Sequence, residues 1–344
     1  MEDQGTRPAL GEEPPVVGSG NAPAPPGRVP PNPFSRRSIL RALTSPVGWI
    51  PGIFLASSVV VLMLSSHFQN FGLGFFGPVW NPNPTDPSVA TYGILYFVIG
   101  SALTAGFALV LAMLLSLAIA ISLVVFLPSP ASRILTSLTD LLAGIPSVVY
   151  GIWGYVILAP YFSKQLDPAL SHYLGWLPGF AASPTEYAGG TGLLLAIFIL
   201  TIMVVPLTTA LLRESLRAIP REQVESGLAL GATRWEVLRR VQLPWARRSI
   251  PSAVLLGFGR AVGETVAVFM VIGNEVKLPT SLFSGSSTMA TLLVGQFDSA
   301  FEYPDLLHAL VEVALLLLAI SLVVNLLGLR YFGSGRMAHV GAGA

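Results

Sequence analysis

Two ionisable residues lie four positions apart in an otherwise apolar segment. Arg260 and Glu264 fall on one face of a helix, where their side chains can pair. A charge in the middle of a membrane costs at least about 2.5–3.5 kcal/mol, and an apolar pair would be cheaper. A guanidinium group donates two parallel hydrogen bonds to one oxyanion, and a nearby carboxylate can orient it or accept a proton from the anion. We predict that Arg260, Glu264 and the adjacent Thr265 line a substrate pathway; an ion pair that only packs helices is the alternative.

The composition predicts a membrane environment for this pair. The chain of 344 residues is 53% hydrophobic and 11% charged, whereas soluble domains carry about 25% charged residues. It has no cysteine, and its four histidines are far apart in the sequence. We therefore expect no disulfide, no metal site and no cofactor. We also expect membrane lipid, and no nucleic acid, as a partner.

Six apolar segments approach the length of about 20 residues that a helix needs to cross the hydrocarbon layer. The sequence therefore predicts an all-α integral membrane protein with six transmembrane helices. The predicted spans are 47–66, 92–127, 138–161, 192–212, 253–272 and 307–329. The second contains no charge and leaves no room for a polar turn, so we expect one long helix that is tilted or projects beyond the bilayer.

Positive charge is concentrated on one side of the predicted spans. With six spans, the arginines next to 47–66 and those at 133, 213–248, 330 and 336 share a side, and the other side receives only Lys164 and Lys277. The positive-inside rule then predicts a multi-pass membrane protein with both termini cytoplasmic. The loops at 67–91, 162–191 and 273–306 would face outward. We predict a disordered Pro/Gly-rich tail at 1–46, a membrane domain at 47–330 with a cytoplasmic loop at 213–252, and a short cytoplasmic tail at 331–344.

The cytoplasmic loop carries eight arginines between 213 and 248, and it also carries helix signals. Pro220 suits the start of a helix, and Gly231 suits its end. Thr233 and Glu236 then have the spacing of a capping box, which predicts a second helix that ends near Leu243-Pro244. The sequence thus predicts a helix–turn–helix; an arginine-rich face lying on anionic lipid is the alternative.

The spacing within this loop resembles a known motif. Glu225-Ser226-Gly227, Gly231 and Val241-Gln242-Leu243-Pro244 match the offsets of the EAA loop of ABC-importer permeases. The resemblance implies a type I ABC-importer permease-like bundle, in which Glu225, Gly231, Leu243 and Pro244 couple the membrane domain to an ATPase. Ser226 and Gly227 replace the two alanines that the family usually has. Gly227 is expected to loosen the helix by up to about 1 kcal/mol relative to alanine.

Two membrane segments narrow the resemblance. Residues 259–274 and 140–151 are similar to the C-type permease of the phosphate-specific transport system, and Val266-Ala267 lacks the proline of the A-type sister. The resemblance implies import of inorganic phosphate, energised by ATP hydrolysis on other subunits. It also implies three partners: an A-type permease in a heterodimer, cytoplasmic ATP-binding subunits and an extracytoplasmic phosphate-binding protein. For Asp140 itself, near the cytoplasmic end of its span, we expect an interfacial role.

The chain carries no ATP-binding motif. A P-loop needs Gly-Lys followed by Ser or Thr, but Lys164 follows Ser163 and Lys277 follows Val276. We therefore expect a transporter subunit and not an enzyme. The alternatives are a permease for sulfate or molybdate, an ion-coupled secondary transporter or channel, and a non-transporting scaffold.

Overall fold

The computed structural model describes residues 46–65, 74–82, 90–181, 185–186, 189–247, 250–303 and 305–336. The predicted N-terminal tail, except for its last position, and residues 337–344 lie outside this part of the chain. The described part is mostly helical, and it includes one short antiparallel ribbon in which β1, Trp80–Asn81, pairs with β2, Thr91–Tyr92. The predicted all-α class is confirmed.

The helices of the first part of the chain include the longest apolar ones. They are α1, Pro46–Ser65; α2, Leu95–Phe126; α3, Ser129–Ala143; α4, Ser147–Leu174; and α5, Leu193–Arg217. The last turns of α2 and two stretches of α4 have π-helical hydrogen bonding, at Ser122–Phe126, Gly154–Leu158 and Phe162–Leu166.

The second part of the chain contains shorter helices and one long final helix. They are α6, Arg221–Ala229; α7, Arg234–Val237, followed by a π-helical turn at Leu238–Gln242; α8, Leu243–Ala246; α9, Ile250–Gly263; α10, Val266–Val271; α11, Met289–Gly295, followed by a 3-10 turn at Asp298–Phe301; and α12, Leu306–Arg336. Helix α12 thus continues past the predicted boundary at residue 330.

Within the described residues, three helices are long and apolar enough to cross a membrane by themselves. They are α2, α5 and the first part of α12, Leu306–Val324. The pair α3 and α4 meets the same criterion when taken together. The long uninterrupted α2 confirms the prediction of one helix for the second span, whereas the count of six spans stays a prediction.

Helices α2 and α5 pack along each other in the core of the described bundle. The small buried residues Ala108 and Ala112 of α2 allow close approach, and the hydroxyl groups of Ser116 and Thr208 lie 2.5 Å apart across the contact. Small residues and interhelical hydrogen bonds stabilise helix pairs where lipid removes the hydrophobic driving force. Helix α9 packs against α2, α5 and α12, which brings its C-terminal end next to this core.

The predicted third span, 138–161, is not one straight helix. Helix α3 ends at Ala143, α4 begins at Ser147, and the two are bent by 91°. Pro146 has no N–H group and restricts Ile145 to extended conformations, so the helix cannot continue through this point. The N–H group of Gly144 bonds back to the carbonyl oxygen of Leu141 at 3.0 Å, which tightens the last turn of α3.

The predicted fifth span, 253–272, is also interrupted. Glu264 and Thr265 are non-helical between the end of α9 and the start of α10. The hydroxyl group of Thr265 donates to the carbonyl oxygen of Gly263 at 3.1 Å, so it satisfies an acceptor that the break releases. Arg260 and Glu264 therefore do not lie in one continuous helix, although their spacing still lets them meet.

The connection between α10 and α11 turns back among the helices. Gly273 and Asn274 have φ angles of +91° and +53°, and they begin the reversal. The following serine- and threonine-rich stretch is almost completely buried, and the N–H group of Leu193 at the start of α5 bonds to the carbonyl oxygen of Ser284 at 3.1 Å. Residues 273–306 were predicted to form an outward-facing loop, but residues 281–292 of this segment are mostly buried.

Candidate substrate and coupling sites

The charge pair lies at the break between α9 and α10. The Nη2 atom of Arg260 is 3.9 Å from Oε2 of Glu264, and the two side chains are 44% and 10% exposed. The predicted pairing is therefore present in the structure. The arginine remains accessible, whereas the carboxylate points into the protein.

Glu264 lines a small cavity together with hydroxyl groups from distant parts of the sequence. Ser101 and Thr104 of α2 and Thr288 before α11 contribute the polar side, and Ala105, Ala261, Val262 and Val268 contribute the apolar side. The cavity has a volume of about 10 Å³, which is about the room that one water molecule needs. An oxyanion therefore requires this site to open.

The hydroxyl groups of the cavity have defined partners. Ser101 accepts the N–H group of Met289 at 2.9 Å, and Thr104 donates to the carbonyl oxygen of Gly100 at 2.7 Å. Thr288 accepts the N–H group of Thr291 at 3.1 Å in a capping box that starts α11. The side chain of Ser101 thus fixes α11 against α2, next to Glu264.

The predicted pathway residues have different surroundings. Glu264 lines the cavity, Arg260 pairs with Glu264 from a more exposed position, and the hydroxyl group of Thr265 bonds at the helix break. Sequence reasoning missed Ser101, Thr104 and Thr288. The serine- and threonine-rich run at 281–288 was a visible signal in the sequence, but its position in a predicted outer loop concealed its burial.

The predicted helix–turn–helix is present in the loop at 213–252. Pro220 directly precedes α6, and Gly231 follows it with a φ angle of +84°. Thr233 and Glu236 form a reciprocal capping box, in which the Glu236 N–H group donates to the threonine hydroxyl at 3.3 Å and the Thr233 N–H group donates to the glutamate at 2.9 Å. These local signals are confirmed.

The predicted end of the second helix near Leu243-Pro244 is wrong. The helical path continues through a π-helical turn into α8 and ends after Ala246. The N–H group of Leu243 bonds to the carbonyl oxygen of Leu238, five residues back, so the turn widens directly before Pro244, which has no N–H group to donate. Glu225, Gly231 and Pro244 are exposed, and Leu243 is partly buried.

The structure explains why Gly227 replaces the alanine that the EAA loop usually has at this position. A Cβ atom at this position would lie 3.0 Å from Cγ2 of Val237, so the missing methyl group allows α6 to approach α7 closely. The hydroxyl group of Ser226 bonds to the carbonyl oxygen of Glu222 at 2.6 Å within the same helix. Both departures therefore fit the loop geometry, and Gly227 sets the distance between its two helices.

Large apolar side chains point outward around the turn of this loop. Leu230 is 89% exposed, and Leu228 and Trp235 are also exposed. An exposed apolar cluster is typical of a surface that contacts another protein or a membrane. The geometry thus favours a contact surface over a purely solvated charged face.

An ion pair that the sequence did not predict joins α3 to α5. Nη2 of Arg213 lies 3.2 Å from Oδ1 of Asp140. Arg213 was grouped with the loop arginines, but it lies within α5, and Asp140 is half exposed as expected for an interfacial residue. Elsewhere, Asp167 of α4 is a buried carboxylate that sequence reasoning did not single out.

Comparison with known proteins identifies the family. The family model of binding-protein-dependent transport system inner membrane components matches residues 112–332. The phosphate transport system permease protein PstC of Haemophilus influenzae is 34% identical over 292 residues, which cover 84% of this chain and 91% of that protein. The chain belongs to the PstC family of phosphate transport system permeases.

Other members and solved structures agree with this assignment. A probable PstC of Methanocaldococcus jannaschii is 35% identical over 290 residues, which cover 82% of this chain and 90% of that protein. A bacterial alginate ABC transporter in complex with an alginate pentasaccharide-bound periplasmic protein matches 85% of this chain and 93% of its own with a TM-score of 0.55 at 15% identity. That structure and this PstC family member share one fold, an importer-type permease bundle.

Proposed function

We propose that this chain is the membrane-spanning subunit through which an ABC importer moves inorganic phosphate into the cell. The observation that carries the proposal is the Arg260–Glu264 pair beside a hydroxyl-lined cavity in an apolar bundle. The PstC relatives, which cover most of this chain, carry phosphate transport in their names. Phosphate matches both observations because it is an oxyanion with hydrogen-bond acceptors and, when protonated, a donor.

The side chains suggest a division of roles during transport. The accessible guanidinium of Arg260 would meet the anion and form a two-pronged contact with its oxygens. Glu264 would orient the guanidinium or accept the hydrogen bond of hydrogen phosphate, which a fully deprotonated anion cannot donate. Ser101 and Thr104 would provide hydroxyl contacts once the cavity opens, and Thr265 would keep the helix break in place.

The cytoplasmic loop supports a coupling role at a separate place in the chain. Glu225, Gly231, Leu243 and Pro244 are the residues that we propose couple this loop to a partner ATPase. The exposed Leu230 next to Gly231 gives that contact an apolar centre. ATP would be bound and hydrolysed by the partner, since this chain has no P-loop and belongs to a family of permease subunits.

The remaining partners follow from the same proposal. An extracytoplasmic phosphate-binding protein would deliver the anion, and an A-type permease would complete the pathway as a heterodimer. Helix α4 presents Val149, Ile152, Val156 and other apolar side chains outward, as expected of a surface that contacts lipid or a second permease. Both termini and the loop at 213–252 would lie in the cytoplasm of the bacterial cell, as the arginine distribution predicts.

The test is phosphate uptake by the assembled complex. The chain would be co-purified with its partner subunits, reconstituted in liposomes with ATP inside and compared with Arg260→Ala and Glu225→Ala. We expect Arg260→Ala to preserve assembly and abolish uptake, and Glu225→Ala to weaken assembly or the coupling of ATP hydrolysis to uptake. Uptake by Arg260→Ala at the normal rate would contradict the proposed anion role.

Two controls separate the alternatives. Excess sulfate or molybdate should leave uptake of labelled phosphate unchanged; competition by either would favour a different oxyanion. Liposomes that contain only this chain should show no uptake when an ion gradient is imposed. Transport under that condition would indicate a secondary transporter.

A further inference from the structure

A second cavity lies between the membrane helices and the cytoplasmic loop. It is open to solvent, has a volume of about 540 Å³ and is lined by the end of α2, the start of α3, the end of α5 and helix α6. Its lining includes three arginines from three different helices: Arg133 of α3, Arg217 of α5 and Arg221 of α6. Glu225 is the carboxylate among its lining residues. We call this cavity the basic cleft.

The charges of the basic cleft are not balanced within the described chain. The ion pairs found among the described residues are Arg213–Asp140, Arg260–Glu264 and Lys277–Glu275. None of them includes an arginine of the cleft. Three guanidinium groups around one cavity repel one another, and an anion between them would remove that repulsion and accept their hydrogen bonds.

A buried amide provides a second observation. Gln242 lines the basic cleft and is only 7% exposed, yet its Oε1 atom has no hydrogen-bond partner in the described part of the chain. Buried amide groups normally have a partner. Since the two ends of an amide exchange by a simple flip, Gln242 can present its NH₂ group to an anion in the cleft.

Part of the cleft lining is apolar. Leu123, Val124 and Leu127 at the end of α2 contribute to it, together with Val224 of α6. Helix α2 has 32 residues, more than the about 20 that cross the hydrocarbon layer, so its end lies at or beyond the edge of that layer. A cleft lined by both arginines and aliphatic side chains near this edge suits the phosphate of a phospholipid and the start of its acyl chains.

We propose that the basic cleft binds a phosphate group, supplied by an anionic phospholipid headgroup or by free phosphate, and that the bound group ties α6 to α3 and α5. The inference rests on the proposed cytoplasmic placement of α6 and on its coupling role. Because Arg221 and Glu225 both belong to α6, the occupant sets the position of the helix that contacts the ATPase. The cleft is thus a regulatory site, separate from the substrate pathway at Arg260.

Binding is measured directly on the purified complex, without transport. The complex is placed in nanodiscs of phosphatidylcholine with increasing phosphatidylglycerol, and co-purifying lipid is quantified; a parallel series titrates inorganic phosphate in phosphatidylcholine alone. We expect saturable binding in one of the two series, and that series identifies the source of the phosphate group. Absence of saturable binding in both would overturn the proposal.

Substitution then locates the binding. Arg133→Gln, Arg217→Gln and Arg221→Gln should each weaken it about fivefold, the effect of one basic residue near an anionic surface. Arg239→Gln is the matched control because it removes the same charge from an exposed position outside the cleft. Equal loss in the control and the cleft variants would show a diffuse charge effect and contradict a site.

Folding and function are kept apart from binding. Arg→Lys at the same three positions retains the charge and should retain most of the binding, so equal losses in the Lys and Gln variants would show that positive charge does not hold the phosphate group and would contradict the proposal. Failure of the proposed substrate role would appear as normal uptake by Arg260→Ala, with lipid or phosphate binding to the cleft unaffected. The two hypotheses thus fail through different measurements.

Discussion

The loop at 213–252 and the charge-pair site are neighbours in the sequence, but they are built in opposite ways. In the loop, Leu230 and Trp235 expose their apolar side chains, and Gly231 adopts a left-handed conformation that alanine would resist. At the charge pair, Glu264 is turned inward toward hydroxyl groups. A surface that contacts a protein exposes apolar groups, whereas a pathway for an anion surrounds a charge with polar ones. This difference fits the roles that we propose, which are partner recognition for the loop and solute handling for the break.

The largest of these effects is expected at the charge-pair site. Glu264→Gln keeps the size and removes the charge, so the guanidinium of Arg260 loses its orienting partner. We expect phosphate uptake to fall at least about 30-fold, which corresponds to about 2 kcal/mol for truncating a partly buried charge pair. Uptake is measured in liposomes, with co-purification of the partner subunits as the control for assembly. Unchanged uptake would show that the Arg260–Glu264 pair only packs helices and has no role in transport.

The next effect is expected at the exposed apolar side chains of the loop. Leu230→Asp places a charge at the proposed centre of the ATPase contact, and we expect partner binding to weaken about 5- to 30-fold, or about 1–2 kcal/mol. Gln223→Asp adds the same charge at an exposed position within α6, and this variant should bind the partner normally. The affinity for the purified ATPase subunit is the measurement. Equal loss in both variants would mean that net charge, and not the apolar tip, controls docking.

Two glycines in the loop provide a smaller and sharper contrast. Gly231→Ala forces a Cβ atom into the left-handed region and should cost about 1–2 kcal/mol in the stability of the turn. Gly227→Ala gains up to about 1 kcal/mol in helix propensity but pushes against Val237, so we expect little net change. Protease susceptibility of the loop in the purified complex compares the two. Equal protease susceptibility of the Gly231→Ala and Gly227→Ala variants would contradict a rigid turn at Gly231.

The smallest expected effect concerns pH. The pKa of Glu236 is lowered because its carboxylate accepts hydrogen bonds from the backbone and the hydroxyl group of Thr233. A lowered folded pKa means that the cap contributes fully above the ordinary value of 4.5 and is lost as the pH falls through the folded value. Hydrogen exchange of the Thr233 amide, corrected for its intrinsic rate, should therefore accelerate only below pH 4.5. The Glu236→Gln variant should lack this transition.

Sequence signals that act within about one helical turn predicted the structure well. The capping box of Thr233 and Glu236, the stop at Gly231 and the meeting of Arg260 with Glu264 all depend on residues close in the chain. The fold class, the family and the single long α2 also follow from local patterns and motif spacing.

Features that depend on distant contacts were not predictable in the same way. Ser101 and Thr288 approach Glu264 only because α2 and the buried segment before α11 pack against the break. The sequence 281–288 is polar, and polarity alone predicts an exposed loop; its internal hydrogen bonds, such as that from Ser284 to Ser281, allow it to be buried. The helical path extends past Pro244 through a π-helical turn, and no residue type in the sequence indicates such a turn.

The break at Glu264 and Thr265 also makes α9 a lever with unequal arms. Helix α9 has 14 residues, so its N-terminal end lies about 21 Å from the break and Arg260 only about 6 Å from it, at 1.5 Å per residue. If the helix pivots at the break by about 15°, its far end moves about 5.5 Å while Arg260 moves about 1.6 Å. Under the proposed coupling, a large movement at the loop end of α9 is thereby reduced to a small displacement at Arg260. Such a small step is enough to make or release hydrogen bonds to one anion, because a shift of that size exceeds the range over which they hold.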